Sequence, residues 1–267
     1  MIFTSVLIGL VLASSPGCPV VTLDVIAQEQ SGPTCVVAAS VTAISARDQA
    51  PTVRELARNL PIWPDGVHAY DLVVELKRRG WQSLVFTGPP EAAARLVEAG
   101  FAPMVMMKRG KGRHAVAVTG SQRGESATGS CGTALRSLQV TDPRKRGPYW
   151  LSAKTFAARQ SEAQMVVSFR PHERALLSKA GFPVAVAERV DRRFRSTSLL
   201  RKAKKHPQPN GQMLTLLREA LTIDPCHDAA RAALIKVAHH VGESHRGLPK
   251  CAAPPRKSLS TKTRRRR

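Results

Sequence analysis

Cys35, His114 and Asp142 are the residues of this chain whose types could perform chemistry together. Cys35 opens the run Cys35-Val36-Val37-Ala38-Ala39-Ser40-Val41-Thr42-Ala43-Ile44, which is apolar on nearly every face and predicts a buried helix. A thiol in the first turn of such a helix meets unpaired backbone N–H groups and the positive end of the helix dipole, and both favour the thiolate. A nucleophile made in this way needs a base within hydrogen-bond reach, and the base needs a partner on its other ring nitrogen. His114 begins the apolar stretch His114-Ala115-Val116-Ala117-Val118, and Asp142 closes Leu138-Gln139-Val140-Thr141-Asp142 ahead of Pro143. As adjacent antiparallel strands these stretches bring imidazole and carboxylate together at one rim of a sheet. A helix packed across that sheet then presents Cys35 to them. Singly, each residue has an ordinary reading: a small core cysteine, a satisfied strand-end histidine, an Asp-Pro turn starter. Together they read as nucleophile, base and orienting group.

The elements that must position these groups can be traced around them. Val20 to Ala27 reads as extended, and Gln30-Ser31-Gly32-Pro33-Thr34 as a turn into the helix with Thr34 at the N-cap. Pro51-Thr52 with Glu55 predicts a capping box and a second helix, and a third runs from Val67 to Arg79 and stops at Gly80. Strands are expected over Trp81 to Phe86, Pro103 to Met107, Ala115 to Thr119, Leu135 to Thr141 and Met165 to Phe169. Helices are expected over Pro89 to Ala99 and from Ser152 through Phe156. Helices first and then a largely antiparallel sheet make an α+β protein. Past residue 171 two helical stretches follow, Arg174 to Lys204 with a break at Gly181-Phe182-Pro183, and Met213 to His240. In the second, Ala220-Leu221-Thr222-Ile223-Asp224-Pro225 followed by Asp228 to Leu234 looks like a junction of tetratricopeptide helices. One junction does not make an array, so the expectation is a helical hairpin. The Pro, Lys, Ser and Arg content from Gly247 onward predicts disorder. The expected divisions are a leader over 1–19, the chemistry-bearing domain over 20–170, a helical extension over 171–245 and a basic tail over 246–267.

In their order along the chain these residues resemble papain-like cysteine peptidases, in particular the double-glycine leader peptidases of bacteriocin exporters and their stand-alone relatives. The resemblance is carried by Gln30 before the cysteine, the helix opened by Cys35, the strand opened by His114 and the Asp142-Pro143 step, followed by Gly147, Trp150-Leu151-Ser152 and Phe156. It covers residues 20–170. It implies a papain-like α+β fold with N-terminal helices packed on an antiparallel sheet, and a Cys35-His114-Asp142 triad that hydrolyses a peptide or protein through an acyl-enzyme, with no cofactor or metal. It also implies an oxyanion hole formed by the Gln30 side-chain amide and the backbone N–H of Cys35. Gln28 competes for that role; Gln30 is preferred because it lies on the turn into the helix. Two departures stand out: Val36 where the family most often has glycine, and an insertion around Gln122 to Thr133 that includes Cys131. The same triad would serve a cysteine acyltransferase, and the same fold without its chemistry would be a binding module.

With 43% hydrophobic and 22% charged residues, the composition is that of a folded chain. The formal charge of +22 is unevenly spread: residues 1–100 hold 7 basic and 9 acidic groups, 101–170 hold 12 and 3, and 171–267 hold 22 and 7. An excess carried by the C-terminal third points to an anionic envelope polymer or an acidic protein as partner. Specific nucleic-acid recognition is not expected, since neither the aromatic interleaving of a single-strand binder nor a zinc-finger spacing is present. The uncharged run Ile2 to Ala13 suits the apolar region of a secretory signal and is too short to span a bilayer. It predicts an exported protein, periplasmic or extracellular; the alternative is the first strand of the fold. No membrane span is expected after the leader, and Cys18 behind Ser15-Pro16-Gly17 is a poor match to a lipid-attachment site. Five cysteines, at 18, 35, 131, 226 and 251, form no CxxC pair. In an oxidising compartment an odd count leaves at least one outside intramolecular pairing, and a free reactive thiol is one of two explanations.

Overall fold

The structure, a computed structural model, describes residues 18–64, 66–110, 112–125, 131–182, 184–244, 248 and 251. Helix α1 (Cys35–Ser45) is buried at every residue from Val36 to Ile44, as its unbroken apolar run requires. Each valine or isoleucine so removed from water contributes roughly 1.5–3 kcal/mol. At the start of α2 (Val53–Ala57) the Thr52 hydroxyl accepts from the Glu55 N–H while the Glu55 carboxylate accepts from the Thr52 N–H, the reciprocal cap expected. α3 (Ala69–Arg78) ends where Gly80 takes φ +81, a conformation side chains resist.

A seven-stranded antiparallel sheet supplies the platform. Its strands are β1 (Val20–Thr22), β2 (Gln82–Thr87), β3 (Met104–Arg109), β4 (Gly112–Glu125), β5 (Cys131–Thr141), β6 (Pro148–Ser152) and β7 (Gln160–Phe169), ordered β2-β7-β3-β4-β5-β6 with β1 added beside β4. Alternation along β4 gives the sheet two covered faces. Val116 and Val118 enter a core with Ala93, Leu96 and Val97 of α4 (Pro90–Glu98) and Phe156 of α5 (Ala153–Arg159). Ala117 meets Ala43 of α1 from the other side, and the Ser40 hydroxyl lies 3.2 Å from the Met104 sulfur. Gly120 permits β1 to close on β4, because a Cβ there would stand 2.9 Å from Gln139 Cβ and 3.0 Å from the Val21 carbonyl oxygen.

Several sequence expectations need adjustment. β4 and β5 run well past Thr119 and back before Leu135, pairing as far as Glu125 with Cys131. The region around Gln122 to Thr133 therefore lies largely in the far end of a long hairpin whose polar residues hid its strands. β6 is not signalled locally because Gly147 precedes it and Pro148 opens it; its register sets Tyr149 opposite Val140. Thr34 does not cap α1 with its side chain. Its hydroxyl donates instead to the Ser31 carbonyl (2.8 Å) and accepts from the Ser31 N–H (3.2 Å). The leader expected over 1–19 lies outside the described residues as far as residue 17; at its end Cys18 is buried, and Val20–Thr22 just beyond it is a strand. The basic tail likewise lies outside the described residues, apart from Leu248 and Cys251. No helix among the described residues is long and apolar enough to cross a membrane.

The chain divides into two compact units after Asp191, later than residue 170. The reason is packing. After a short 3-10 turn (Pro171–Glu173), α6 (Arg174–Lys179) and the start of α7 (Val184–Lys204) place Leu177, Phe182, Val184 and Ala187 in the main core. Phe182 meets Phe86 edge-on at 4.6 Å, and the buried Glu173 pairs with Arg47 at 2.5 Å. The second unit holds the rest of α7 with α8 (Gly211–Ile223) and α9 (Asp228–His240), which bury Leu214, Leu217, Leu221, Leu234 and Val237. Cys226 and Cys251 form a disulfide there. His227 is buried: it accepts from the Ala230 N–H at the start of α9 and bonds Thr197 Oγ1 at 3.0 Å.

A chain ending at residue 191 should therefore unfold cooperatively, whereas one ending at 170 should lose at least about 3 kcal/mol, because it vacates the core seats of Leu177 and Phe182. Urea denaturation followed by circular dichroism checks this; equal stabilities would contradict the packing described.

Candidate active site

Antiparallel pairing builds the site's first half. Ala117 stands opposite Thr141 in the β4–β5 register, so His114 near the start of β4 and Asp142 just past the end of β5 share one end of the hairpin. His114 Nε2 lies 2.6 Å from Asp142 Oδ1, with both side chains only 5% and 6% exposed. Asp142 Oδ1 also accepts from the Arg144 N–H (2.9 Å), and the Asp142 carbonyl accepts from the Lys145 N–H (2.8 Å), which locks the turn after β5. Burial alone would raise the Asp142 carboxyl, but the hydrogen bonds from His114 and the Arg144 N–H, with the charges of His114 and Arg109, outweigh it and hold the group below its ordinary value.

The second half is the N-terminus of α1. Because Thr34 is turned to Ser31, the first-turn N–H groups are left to the half-buried Cys35. Burial opposes ionisation of its thiol; hydrogen bonds from His114, the Ala115 N–H and the Val36 N–H, with the charge of His114, more than reverse this and lower its pKa. His114 responds in the opposite sense. Burial works to lower it, yet hydrogen bonds and charge attraction from Asp142 and Cys35 raise it from 6.5 to about 9. Since Nε2 is engaged by Asp142, Nδ1 is the nitrogen left for the thiol. Nδ1 is buried and makes no hydrogen bond of strict geometry, so the contact with sulfur is a loose one, as is common before substrate binds.

Cys35, His114 and Asp142 are thus brought together as the sequence suggested. Gln30 is held close by, its backbone N–H donating to the Pro143 carbonyl at 3.1 Å. Its side-chain amide, however, donates to the Gly32 carbonyl (2.8 Å), leaving Oε1 buried without a partner and one amide hydrogen over. The competing Gln28 donates its amide to the Ile26 carbonyl (3.3 Å). Three contributors escaped the sequence reading: the Ala115 N–H, the Arg144 N–H and Tyr149. Tyr149 is raised first by burial and then by the Asp142 charge, and Lys145 Nζ lies 3.8 Å from the centre of its ring. Recognising β6 would have exposed Tyr149, since its register partner Val140 lies two residues before Asp142. No group of three or more His, Cys, Asp or Glu that could hold a metal occurs among the described residues.

Neither family models nor curated proteins match the sequence. Among solved structures the fold is similar to a double glycine motif protease from an AMS/PCAT transporter, solved in complex with the leader peptide (14% identity, TM-score 0.42, covering 55% of this chain and 92% of that one). It is similar also to the peptidase domain of Streptococcus ComA, a bi-functional ABC transporter involved in quorum sensing (13%, 0.44, 55% and 98%). A third is the N-terminal peptidase domain of the toxin secretion ATP-binding protein from Vibrio parahaemolyticus (12%, 0.37, 53% and 98%). The likeness is one of fold; the chemistry of the site rests on its own atoms.

Iodoacetamide should alkylate Cys35 readily at neutral pH, and the rate should fall only as acid protonates the lowered thiol. In His114→Ala the rate profile should move up towards that of an ordinary cysteine. Peptide-resolved mass spectrometry across a pH series reads this, and coincident wild-type and variant profiles would contradict the coupling.

Proposed function

We propose that this protein is a cysteine peptidase that cleaves peptide bonds through an acyl-enzyme, with Cys35 as nucleophile, His114 as proton carrier and Asp142 as the group that orients the histidine. The observation that carries the reading is the buried 2.6 Å contact of His114 Nε2 with Asp142, which leaves Nδ1 for a thiol at the start of a buried helix. In the resting pair the sulfur is a thiolate and the ring an imidazolium. The thiolate attacks the substrate carbonyl, and His114 gives its Nδ1 proton to the leaving amine. Neutral His114 then takes a proton from the water that attacks the thioester, which releases the acid and restores the pair. Asp142 keeps Nε2 protonated and the ring aimed in both steps. The oxyanion is assigned to the Cys35 backbone N–H together with the spare amide hydrogen of Gln30, which requires that side chain to leave or share its bond to Gly32.

The alternatives divide by what attacks the thioester or whether one forms. An amine in place of water makes an acyltransferase of the same triad, and a site that binds peptides without forming a thioester is a binding module. The basic C-terminal region is proposed to hold an anionic envelope polymer or acidic protein, and an exported location would suit that partner.

Peptide hydrolysis should be lost in Cys35→Ala and nearly lost in Cys35→Ser. His114→Ala should cost about 10²–10⁴-fold in kcat/KM, with Asp142→Asn less damaging. The pH profile supplies a further check. His114 is raised to about 9, so the imidazolium that donates to the leaving group persists through neutral pH and is lost as pH rises through that value. Activity should hold through neutral pH and decline on an alkaline limb near 9. An alkaline limb near 6.5, or full activity in Cys35→Ala, would overturn the reading.

A further inference from the structure

The two turns that flank the site are basic, and the antiparallel register puts them at the same end of the sheet. In the β3–β4 hairpin Met107 stands opposite His114, Lys108 opposite Arg113 and Arg109 opposite Gly112. In the β4–β5 pair Ala117 stands opposite Thr141, so the turn after β5, with Arg144, Lys145 and Arg146, leaves the sheet beside the start of β4. His114 and Asp142 lie between the two turns. Lys108, Arg109, Arg113, Arg144, Lys145 and Arg146 are all exposed, and neither 104–124 nor 143–161 contains an acidic residue. Lys108 and Arg113 face each other as like charges, a cross-strand pairing that is unfavourable in itself. Arg109 is near enough for its charge to help hold the Asp142 carboxyl low. Glu29, exposed next to Gln30, offsets part of this charge, since the Gln30 N–H donates to the Pro143 carbonyl at the same turn. α1, which carries the thiol, has no charged residue.

We propose that this site acts on acidic peptides, with the two basic turns holding Asp or Glu side chains that follow the scissile bond. The proposal rests on the peptidase reading, which fixes the direction of the substrate. The leaving amine takes its proton from His114 Nδ1, so the chain beyond the scissile bond passes the start of β4 and the turns beside it. Exposed guanidinium groups suit carboxylates, which they bind through two parallel N–H donors. A cluster of like charge also raises the local concentration of an oppositely charged peptide and its rate of encounter. The same groups repel a lysine- or arginine-rich peptide, so the preference is set by repulsion as well as attraction. This contact differs from the one proposed for the basic C-terminal region: it is local to the thiol, and can be read at the thiol.

Full-length protein is alkylated with iodoacetamide, an uncharged reagent, in the presence of hexaglutamate or hexalysine, and the rate at Cys35 is read by peptide-resolved mass spectrometry. Hexaglutamate should slow the reaction several-fold, because it covers the thiol and its charge disfavours the thiolate; hexalysine should not. The protection should vanish at about 1 M salt, where the screening length is roughly 3 Å. In Lys108→Gln/Arg146→Gln the concentration of hexaglutamate that protects half-maximally should rise, each lost contact counting for about 2–5-fold. In a parallel arm a library of random decapeptides is incubated with the protein and the cut sites are mapped. Acidic residues should exceed basic ones roughly tenfold in the first positions after the cut. Three results overturn the proposal and leave the peptidase reading standing: protection by both peptides or by neither, protection unchanged in the double variant, or cuts whose acidic excess is missing or confined to positions before the bond. Protection by hexaglutamate alone, with no cut in any peptide, supports the acidic preference of the surface and overturns the peptidase reading instead.

Discussion

The interaction on which the site depends is the buried hydrogen bond between His114 and Asp142. A carboxylate this far from water is costly unless it is paired and hydrogen-bonded, and Asp142 is both, through the imidazole and through the Arg144 N–H. The sheet must supply this geometry without adjustment, because neither side chain has solvent to turn into. Val116, Val118, Leu138 and Val140 fix the register of the β4–β5 pairing from the core side next to the site, and the register shifts only beyond Val118, away from it. Once Asp142 holds Nε2, the proton on the ring is committed and the remaining nitrogen has one direction in which to act.

α1 answers that constraint from the opposite side. Its interior is so apolar that the helix is buried along its length, and burial by itself would suppress ionisation of a thiol at its start. Three local choices reverse the balance: a half-exposed position for Cys35, a Thr34 hydroxyl spent on Ser31, and an Ala115 N–H aimed at the sulfur. The result is a mutual shift, with the thiol lowered and the imidazole raised, in which each charge stabilises the other. This electrostatic pair is of the kind that clusters at functional sites.

Much of this was legible in residue types and their order. The apolar run after Cys35, the two apolar stretches bearing His114 and Asp142 at their ends, and the Thr52–Glu55 cap all declare their structure locally, since periodicity and capping are short-range signals. What escaped depends on partners distant in the chain. The outer halves of β4 and β5 are polar and gain their strand character only from pairing with each other and with β1. β6 begins at Pro148, just after Gly147, and is a strand because β5 offers it an edge. The division after Asp191 follows from Leu177 and Phe182 filling a core built by residues far upstream. Gln30 marks the limit from the other direction: its place on the turn was readable, but the Gly32 carbonyl that engages its amide was not.

The central claim is that His114 is held as an imidazolium by Asp142 on one nitrogen and the Cys35 thiolate on the other. NMR titration of the ring nitrogens of His114, with nitrogen-15 in its imidazole, tests it directly. The expected result is a ring protonated on both nitrogens through neutral pH that titrates at about 9, and whose pKa falls in Asp142→Asn and in Cys35→Ala. A ring that titrates at or below the ordinary 6.5, unmoved by either substitution, would contradict it.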